Sequence, residues 1–436
     1  MQVQRYFGAK EFLDRVEGFL EKEEAANNLA LGITVRARKD LVSRESGPNP
    51  LFAAVEYEGS ILLVLVMTPP HRLILCGKEE GMSGALDAAV SYLLQEGIPI
   101  PGVLGPRKLV DEFAAVWSQR AAFTRCVSMN QMIYRLDKVN SIELPQGELA
   151  FATRAEDTLI ADWMYAFSES TLDKLNREDS LTKAKEAIAE ERAYVWHYNG
   201  PVSMAIWGRQ TRNGVVISGV YTPPASRNHG FATAVVATLT QKLLERGNKF
   251  CSLYTDLANP TSNSIYRNIG FYPIQESIVY DFKYIAYEEA RDGDLESVRS
   301  LFLEYADSLG IDLSFQNFAE EIGTLPGKYG KPDGALILAR TGSELCGCVA
   351  LRKIGSRICE MKRLYVRPRF RKLGIGEELA RRILAEASSI GYASMRLDTL
   401  PSMKSALRLY RSLGFQEIDP YTHNPIEGAI FMEKAL

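Results

Sequence analysis

Two short motifs in this chain have the residue types and spacing to hold a phosphate group. The first is Arg227-Asn228-His229-Gly230-Phe231-Ala232 and the second is Arg371-Lys372-Leu373-Gly374-Ile375-Gly376. Each reads arginine, two residues, glycine, one residue, small residue, and each stands where a strand pattern gives way to a helical one. A strand that ends in such a loop leaves several first-turn N–H groups of the helix aimed at one place. With the positive end of the helix dipole they form an anion site. Glycine permits positive φ and close backbone approach, and the arginine adds a cation at the mouth. The ligand this suits is a pyrophosphate.

Alone, such a motif arises by chance roughly once per few hundred to a thousand residues. Register supplies the specificity. The copies lie 144 residues apart (374 − 230), and the same offset carries Pro224 to Pro368, Tyr266 to Tyr410 and Gly270-Phe271 to Gly414-Phe415. A period this long marks a duplicated domain and not a solenoid. A Walker loop would need Gly-Lys-[Ser/Thr] at the helix start. A dinucleotide fingerprint would need one more glycine in a parallel βαβ unit.

The elements that must position these loops are legible around them. In the last third, helical stretches at 292–309 and 315–322 precede three strands at 335–339, 346–354 and 358–366. A helix over 374–390, a strand at 394–398, a helix at 402–413 and a closing strand pair at 415–418 and 429–433 follow. The middle third repeats this order. Its helices fall at 155–170 and 180–192 and its strands at 194–197, 202–210 and 215–221. A helix at 230–246, a strand at 250–255, a short helix at 262–268 and a strand near 278–282 complete it. Helices, an antiparallel meander and then βαβ make an α+β pattern with one parallel pair at its centre.

Residues 1–140 read as a degenerate third copy or an α+β cap. Their helix at 85–95 resembles the helix after the first phosphate loop. After the strand 61–67, however, comes Thr68-Pro69-Pro70-His71-Arg72, whose prolines lack amide donors.

At 436 residues the length prior is about three domains. Net charge is −3, against bulk nucleic-acid binding. The longest apolar run, 61–67, is too short to cross a bilayer, and the opening residues lack the apolar core of a secretory leader. Six cysteines form no Cys-x-x-Cys pair, and the four histidines lack ligand spacing, so no metal site is expected. This usage fits a reducing cytoplasm.

The order strand, phosphate loop, helix, strand, and helix ending in Tyr-x-x-x-Gly-Phe resembles the GNAT superfamily of acyl-CoA-dependent N-acetyltransferases. The resemblance covers 145–283 and 284–436. It implies tandem α+β domains, each a mixed, mostly antiparallel twisted sheet with a central splayed parallel pair flanked by helices. It also implies acetyl-CoA as cosubstrate, with no metal. Coenzyme A pyrophosphate would lie on residues 227–232 and 371–376. Pantetheine would lie along Val220, Tyr221 and Thr222 in the middle unit, and along Leu364, Tyr365 and Val366 in the last. The family's asparagine seven residues before the tyrosine falls on Asn259, with Asn263 nearby, whereas the last unit has Met403 there.

Acetyl transfer to an amine needs a base for the amine, alignment, and a proton for the leaving thiolate. Tyr410 and Tyr266 are the candidate acids. Glu360, on the strand leading to the second loop, is the candidate base, with an exposed carboxylate or a partner of Lys362 or Arg363 as the plainer alternative. The middle unit has Val216, Ile217 and Ser218 in that region, and Asp256 is a weak substitute. The expected function is transfer of an acetyl or short acyl group to a small-molecule amine, without nucleic-acid or membrane partners. An acyl-CoA-binding sensor or structural module is one alternative, and a protein acetyltransferase with an open acceptor groove is another.

Overall fold

The structure is a computed structural model that describes residues 1–39, 49–121, 123–172, 174–311, 317–371 and 373–436. It divides into two compact units, one of residues 1–121 with 125–282 and one of residues 122–124 with 283–436.

In the first unit the chain runs β1 (Gln2–Tyr6), α1 (Ala9–Leu20), α2 (Asn28–Lys39), β2 (Leu51–Tyr57), β3 (Ser60–Met67), β4 (Leu73–Gly77), α3 (Ser83–Gln95), β5 (Gly102–Pro106), α4 (Arg107–Ala121) and β6 (Thr124–Leu136). It continues through β7 (Glu148–Phe151), α5 (Asp157–Ser168), α6 (Arg177–Ala189), β8 (Ala193–His197), β9 (Pro201–Gly208), β10 (Gly214–Tyr221), α7 (Phe231–Glu245), β11 (Phe250–Asp256), α8 (Pro260–Ile269) and β12 (Tyr272–Lys283). These strands form one twelve-stranded sheet in the order β1-β2-β3-β4-β5-β12-β6-β11-β10-β9-β8-β7. The order shows an exchange. β12, which follows the middle helices, pairs with β5, and β6 takes the place beside β11. Exchange joins two half-sheets into one and leaves neither with a free edge at the join.

The strand that precedes α3 is β4 and not the 61–67 run, which corrects the reading of the Pro-Pro turn. That turn joins β3 to its antiparallel neighbour β4. The loop into α3 is Lys78-Glu79-Glu80-Gly81-Met82. Gly81 has φ +74°, close to +79° at Gly230 and +75° at Gly374. It lies one residue before the N-cap Met82, however, and not at the N-cap as Gly230 and Gly374 do, and Glu79 and Glu80 precede it.

The second unit runs β13 (Ala286–Glu289), α9 (Leu295–Leu309), α10 (Phe318–Gly323), β14 (Ala335–Thr341), β15 (Glu344–Lys353), β16 (Ile358–Val366), α11 (Ile375–Ile390), β17 (Ser394–Thr399), α12 (Lys404–Ser412), β18 (Gln416–Ile418) and β19 (Ile430–Ala435). The sheet order is β13-β14-β15-β16-β17-β19-β18. The stretch read as helical over 315–322 begins within the residues left undescribed, and its described part is α10. In α11 the buried residues Ile375, Leu379, Ala380, Ile383, Leu384 and Ala387 form one stripe at helical spacing. The stripe lies in a core shared with Val349, Leu351, Met361 and Met395 of the sheet. Each large apolar side chain there is worth about 1.5–3 kcal/mol. β15 is apolar without alternation because both of its faces are covered.

The sheets are mixed, and each parallel pair parts early. β16 pairs with β17 only from Ile358↔Ser394 to Glu360↔Arg396. β10 pairs with β11 only from Gly214↔Phe250 to Val216↔Ser252. Beyond these points β16 and β10 stay with their antiparallel neighbours through a register shift. Gly219 (φ +56°) and Arg363 (φ +54°) sit at the shifts. A bulge bends a strand and raises its twist, which opens a cleft between the parallel strands.

Candidate active site

The two loops share one geometry. A short 3-10 turn, Pro224–Ser226 or Pro368–Phe370, leads out of the strand. Arg227 Nε then donates to Thr222 O at 3.1 Å, and Arg371 Nε to Val366 O at 3.1 Å. Both arginines are otherwise exposed, so each ties the loop to the strand end while its guanidinium faces solvent. Gly230 and Gly374 are left-handed N-caps, and no side chain caps either helix. First-turn amides are thus left for an anion. The next residues, Phe231 and Ile375, are buried and anchor the helix start. His229 is exposed with its ring stacked on Phe231 at 5.6 Å, and Asn228 has φ +66°. In the last loop Leu373 packs on the core. Gly376 follows within the first helical turn, as Ala232 does in α7. Lys372 lies outside the described residues. Glu377 and Glu378 in the first turn of α11 are each paired one turn on, with Arg381 and Arg382.

Along the strands that enter these loops, Val220, Leu364 and Val366 pack partly on the core beneath the loop helices. Tyr221 packs toward Trp163 at 6.2 Å, and Tyr365 toward Tyr305 at 6.1 Å. Thr222 Oγ1 lies 2.8 Å from Ser203 Oγ. Asn259 caps α8 by accepting from Ser262 N at 3.1 Å. Asn263 donates to Asp256 O and Asn259 O, and its buried Oδ1 has no partner among the described residues. Asp256 itself accepts from Ala258 N in a turn.

Where β16 and β17 part, a solvent-open pocket is lined by Tyr410, Lys362, Leu364, Asp398, Met403 and Asn424 among others. Tyr410 is brought there by α12 and buried beside Phe415 at 5.8 Å. Burial, with Tyr305 and Asp398 nearby, raises its hydroxyl above the usual phenol range, so it stays protonated at neutral pH. Tyr266 has the equivalent place in α8, and burial pushes it up to about 12.

Glu360 is fully buried and does not line the pocket. Arg352 Nε donates to its Oε2 at 2.5 Å, Tyr421 OH to its Oε1 at 2.7 Å, and Lys362 Nζ stands 3.8 Å away. The pocket wall instead carries Asp398, whose Oδ1 accepts from Lys362 Nζ at 2.8 Å and whose Oδ2 accepts from Asn424 Nδ2 at 3.0 Å. Burial opposes ionisation of Asp398, but Lys362 and Asn424 outweigh it and hold the carboxyl below its ordinary range.

Asp398, Asn424 and Tyr421 escaped sequence reasoning. One signal was available for Asp398: it stands between Leu397 and Thr399, which match Leu253 and Thr255 at the 144-residue offset, where the first copy has Tyr254. His423 stands exposed beside Asn424 and does not line the pocket. Among the described residues no group of three His, Cys, Asp or Glu could hold a metal ion.

Comparison with known proteins identifies this arrangement. The model of the Acetyltransferase (GNAT) family matches residues 295–415, and that of FR47-like protein matches residues 197–279. An uncharacterized N-acetyltransferase of Schizosaccharomyces pombe is 44% identical over 142 residues, which are 32% of this chain and 86% of the relative. The chain belongs to the GNAT acetyltransferase family. An IAA acetyltransferase of Azospirillum brasilense is a further GNAT-like relative, 34% identical over 109 residues, 24% of this chain and 71% of its own. Among solved structures, a GNAT-family acetyltransferase from Colwellia psychrerythraea covers 65% of this chain and all of its own at 10% identity, with a TM-score of 0.41. The protein is an N-acetyltransferase of the GNAT superfamily, for which acetyl-CoA is the typical ligand. Two uncapped helix starts behind left-handed glycines, each beside a parted strand pair, fit that ligand's phosphates and its extended arm.

Proposed function

We propose that the last unit transfers an acetyl or short acyl group from coenzyme A to the amine of a small molecule, by direct transfer in a ternary complex. One observation carries this reading. A single pocket beside the phosphate loop is lined by a protonated tyrosine, a carboxylate and an ammonium: Tyr410, Asp398 and Lys362. The amine nitrogen bonds to the thioester carbonyl carbon and the carbon–sulfur bond breaks. As the new bond forms the nitrogen becomes far more acidic, so a carboxylate of low basicity such as Asp398 can take its proton. Tyr410 gives its own proton to the departing sulfur, and through solvent the proton on Asp398 restores the tyrosine. Glu360 stands behind this wall, reaching it through Lys362. The walls that Leu309, Ile311 and Ile426 add suit a small acceptor better than a protein segment.

A second reading concerns the middle unit. Its residues at the positions of Glu360, Lys362 and Asp398 are Val216, Ser218 and Tyr254. Tyr254 OH lies 3.5 Å from Asn28 Nδ2 and 3.5 Å from Ala26 O, and the Arg209 guanidinium lies over its ring. The middle unit then binds coenzyme A without turning it over, as a sensor or structural module. Residues 1–140 are the third, degenerate copy in this proposal, with Glu79 and Glu80 ahead of α3 repelling phosphate. Cys76, Cys251, Cys348 and Cys359 are free thiols, which supports a reducing, cytoplasmic setting. Among the described residues no helix is long and apolar enough to cross a membrane.

The test is thiol release from acetyl-CoA with a panel of small amines. Asp398→Asn should abolish most turnover while Tyr254→Phe leaves it intact. Loss through Tyr254→Phe alone would assign the chemistry to the middle unit.

A further inference from the structure

The wall of the pocket between β16 and β17 holds a charge pair with unused hydrogen-bonding capacity. Lys362 is 7% exposed, yet of its three N–H donors one reaches Asp398 at 2.8 Å, and the next acceptor, Glu360, stands at 3.8 Å. Among the described residues it makes no other hydrogen bond, though its charge also acts on Glu321. Asp398 has two oxygens able to accept about four hydrogen bonds and receives one from Lys362, one from Asn424 and one from its own backbone N–H. A buried cation and a buried anion thus sit side by side at the pocket, each able to take one more partner. Around them the wall is mixed: Leu309, Leu400, Met403 and Ile426 supply an apolar part beside the polar Tyr305 and Thr399. Polar groups left short of partners in such a site favour the ligand that completes them.

A simple alkylamine completes only Asp398 and strips water from Lys362 in exchange for nothing. A ligand with both charges completes both. We propose that the acceptor is an amino acid with an apolar side chain, bound as the zwitterion with its carboxylate held by Lys362 and its ammonium by Asp398, the ammonium losing one proton to solvent before it attacks. The proposal rests on the reading that the last unit acetylates an amine. It assigns to Lys362 a role in choosing the acceptor, and to the middle unit, with Ser218 and Tyr254 in these places, no such acceptor.

The experiment compares apolar L-amino acids with their primary amides and with the amines that lack the carboxyl group, in the full-length protein. Thiol release from acetyl-CoA gives turnover, and calorimetry on coenzyme A-saturated protein gives binding. The amide and the amine should each show kcat/KM about 100-fold below the amino acid, since a site built to bind a polar group rejects analogues lacking it. Lys362→Met disturbs Asp398 for every acceptor, so all three should fall, but the amino acid should lose about 100-fold more than the amide or the amine. Equal turnover of all three acceptors by the wild-type protein overturns the proposal, as does a Lys362→Met variant that lowers all three alike. If other amines are acetylated but amino acids neither react nor bind, the proposal fails and the acetyltransferase reading stands. If amino acids bind through Lys362 and no amine is acetylated, the acceptor site stands and the catalytic reading of the last unit fails.

Discussion

Gly219 and Arg363 hold equivalent positions in the two loop-bearing strands and share a left-handed backbone, with φ of +56° and +54°. Each sits where its strand shifts register and leaves its parallel neighbour. Glycine takes this conformation freely, whereas a side chain there costs about 1–2 kcal/mol. The arginine persists because its surroundings hold it. Glu321 accepts two hydrogen bonds from it at 2.8 Å, and the rings of Tyr305 and Phe318 lie 5.7 and 5.0 Å from its guanidinium. The bulge is what the cleft requires, and the residue type follows from what else packs there.

Breaking that pair should be costly. Glu321→Gln leaves a buried guanidinium without an ionised partner and should lower stability by about 3–5 kcal/mol, seen as a lower Tm by calorimetry. Adding Arg363→Gly should restore part of the loss, since the orphan charge goes and glycine suits the bulge. A Tm unmoved by Glu321→Gln would show that the pair carries no weight.

Acid should weaken the last unit through the same groups. Burial would raise the Glu321 and Asp398 carboxyls, but Arg363 and Lys362 reverse this and hold both below the ordinary range. Their folded values lie beneath the unfolded ones. Their contribution is therefore complete above the unfolded pKa of about 4 and is lost as pH falls through the folded values. Urea midpoints should stay level from neutral pH to about 5 on this account and drop below about 4. Asp398→Asn should make that drop shallower, and an identical slope would contradict the assignment.

Coenzyme A should bind at two places per chain and not at Gly81. Gly374→Val and Gly230→Val should each remove one site, because a branched residue resists φ near +75° and its side chain would stand where the phosphate approaches. No protein atom lies within 4 Å of a Cβ built at Gly374, so the fold has room for the change. Titration calorimetry counts the sites. A single site in the wild-type protein would refute the pairing of the loops.

Tyr410→Phe should reduce turnover by roughly ten- to a thousandfold while leaving coenzyme A affinity nearly unchanged, since only a hydroxyl is lost. Tyr266→Phe should matter little. Asp398→Asn should cost more than Glu360→Gln, because Asp398 lines the pocket and Glu360 is sealed behind it by Arg352 and Tyr421. The reverse order would return the base to Glu360.

The sequence by itself determined the family, the α+β class and the placing of both loops. These follow from local rules: glycine before an apolar helix stripe, and strand patterns set by which faces are covered. The strand 358–366 has the bounds its pattern indicated, and α11 begins one residue inside the expected start. Only the tertiary structure decided which charges meet. Glu360 and Asp398 lie on neighbouring strands 38 residues apart (398 − 360), and nothing in the alternation of either strand says that one is sealed by Arg352 while the other faces a pocket. The parting of β16 from β17 settles that: Glu360 lies opposite Arg396 at the last paired position, whereas Asp398 lies beyond it beside the cleft. The exchange of β6 and β12 was likewise hidden, since an apolar strand can pair with either edge, and the whole sheet must be assembled before one edge is chosen.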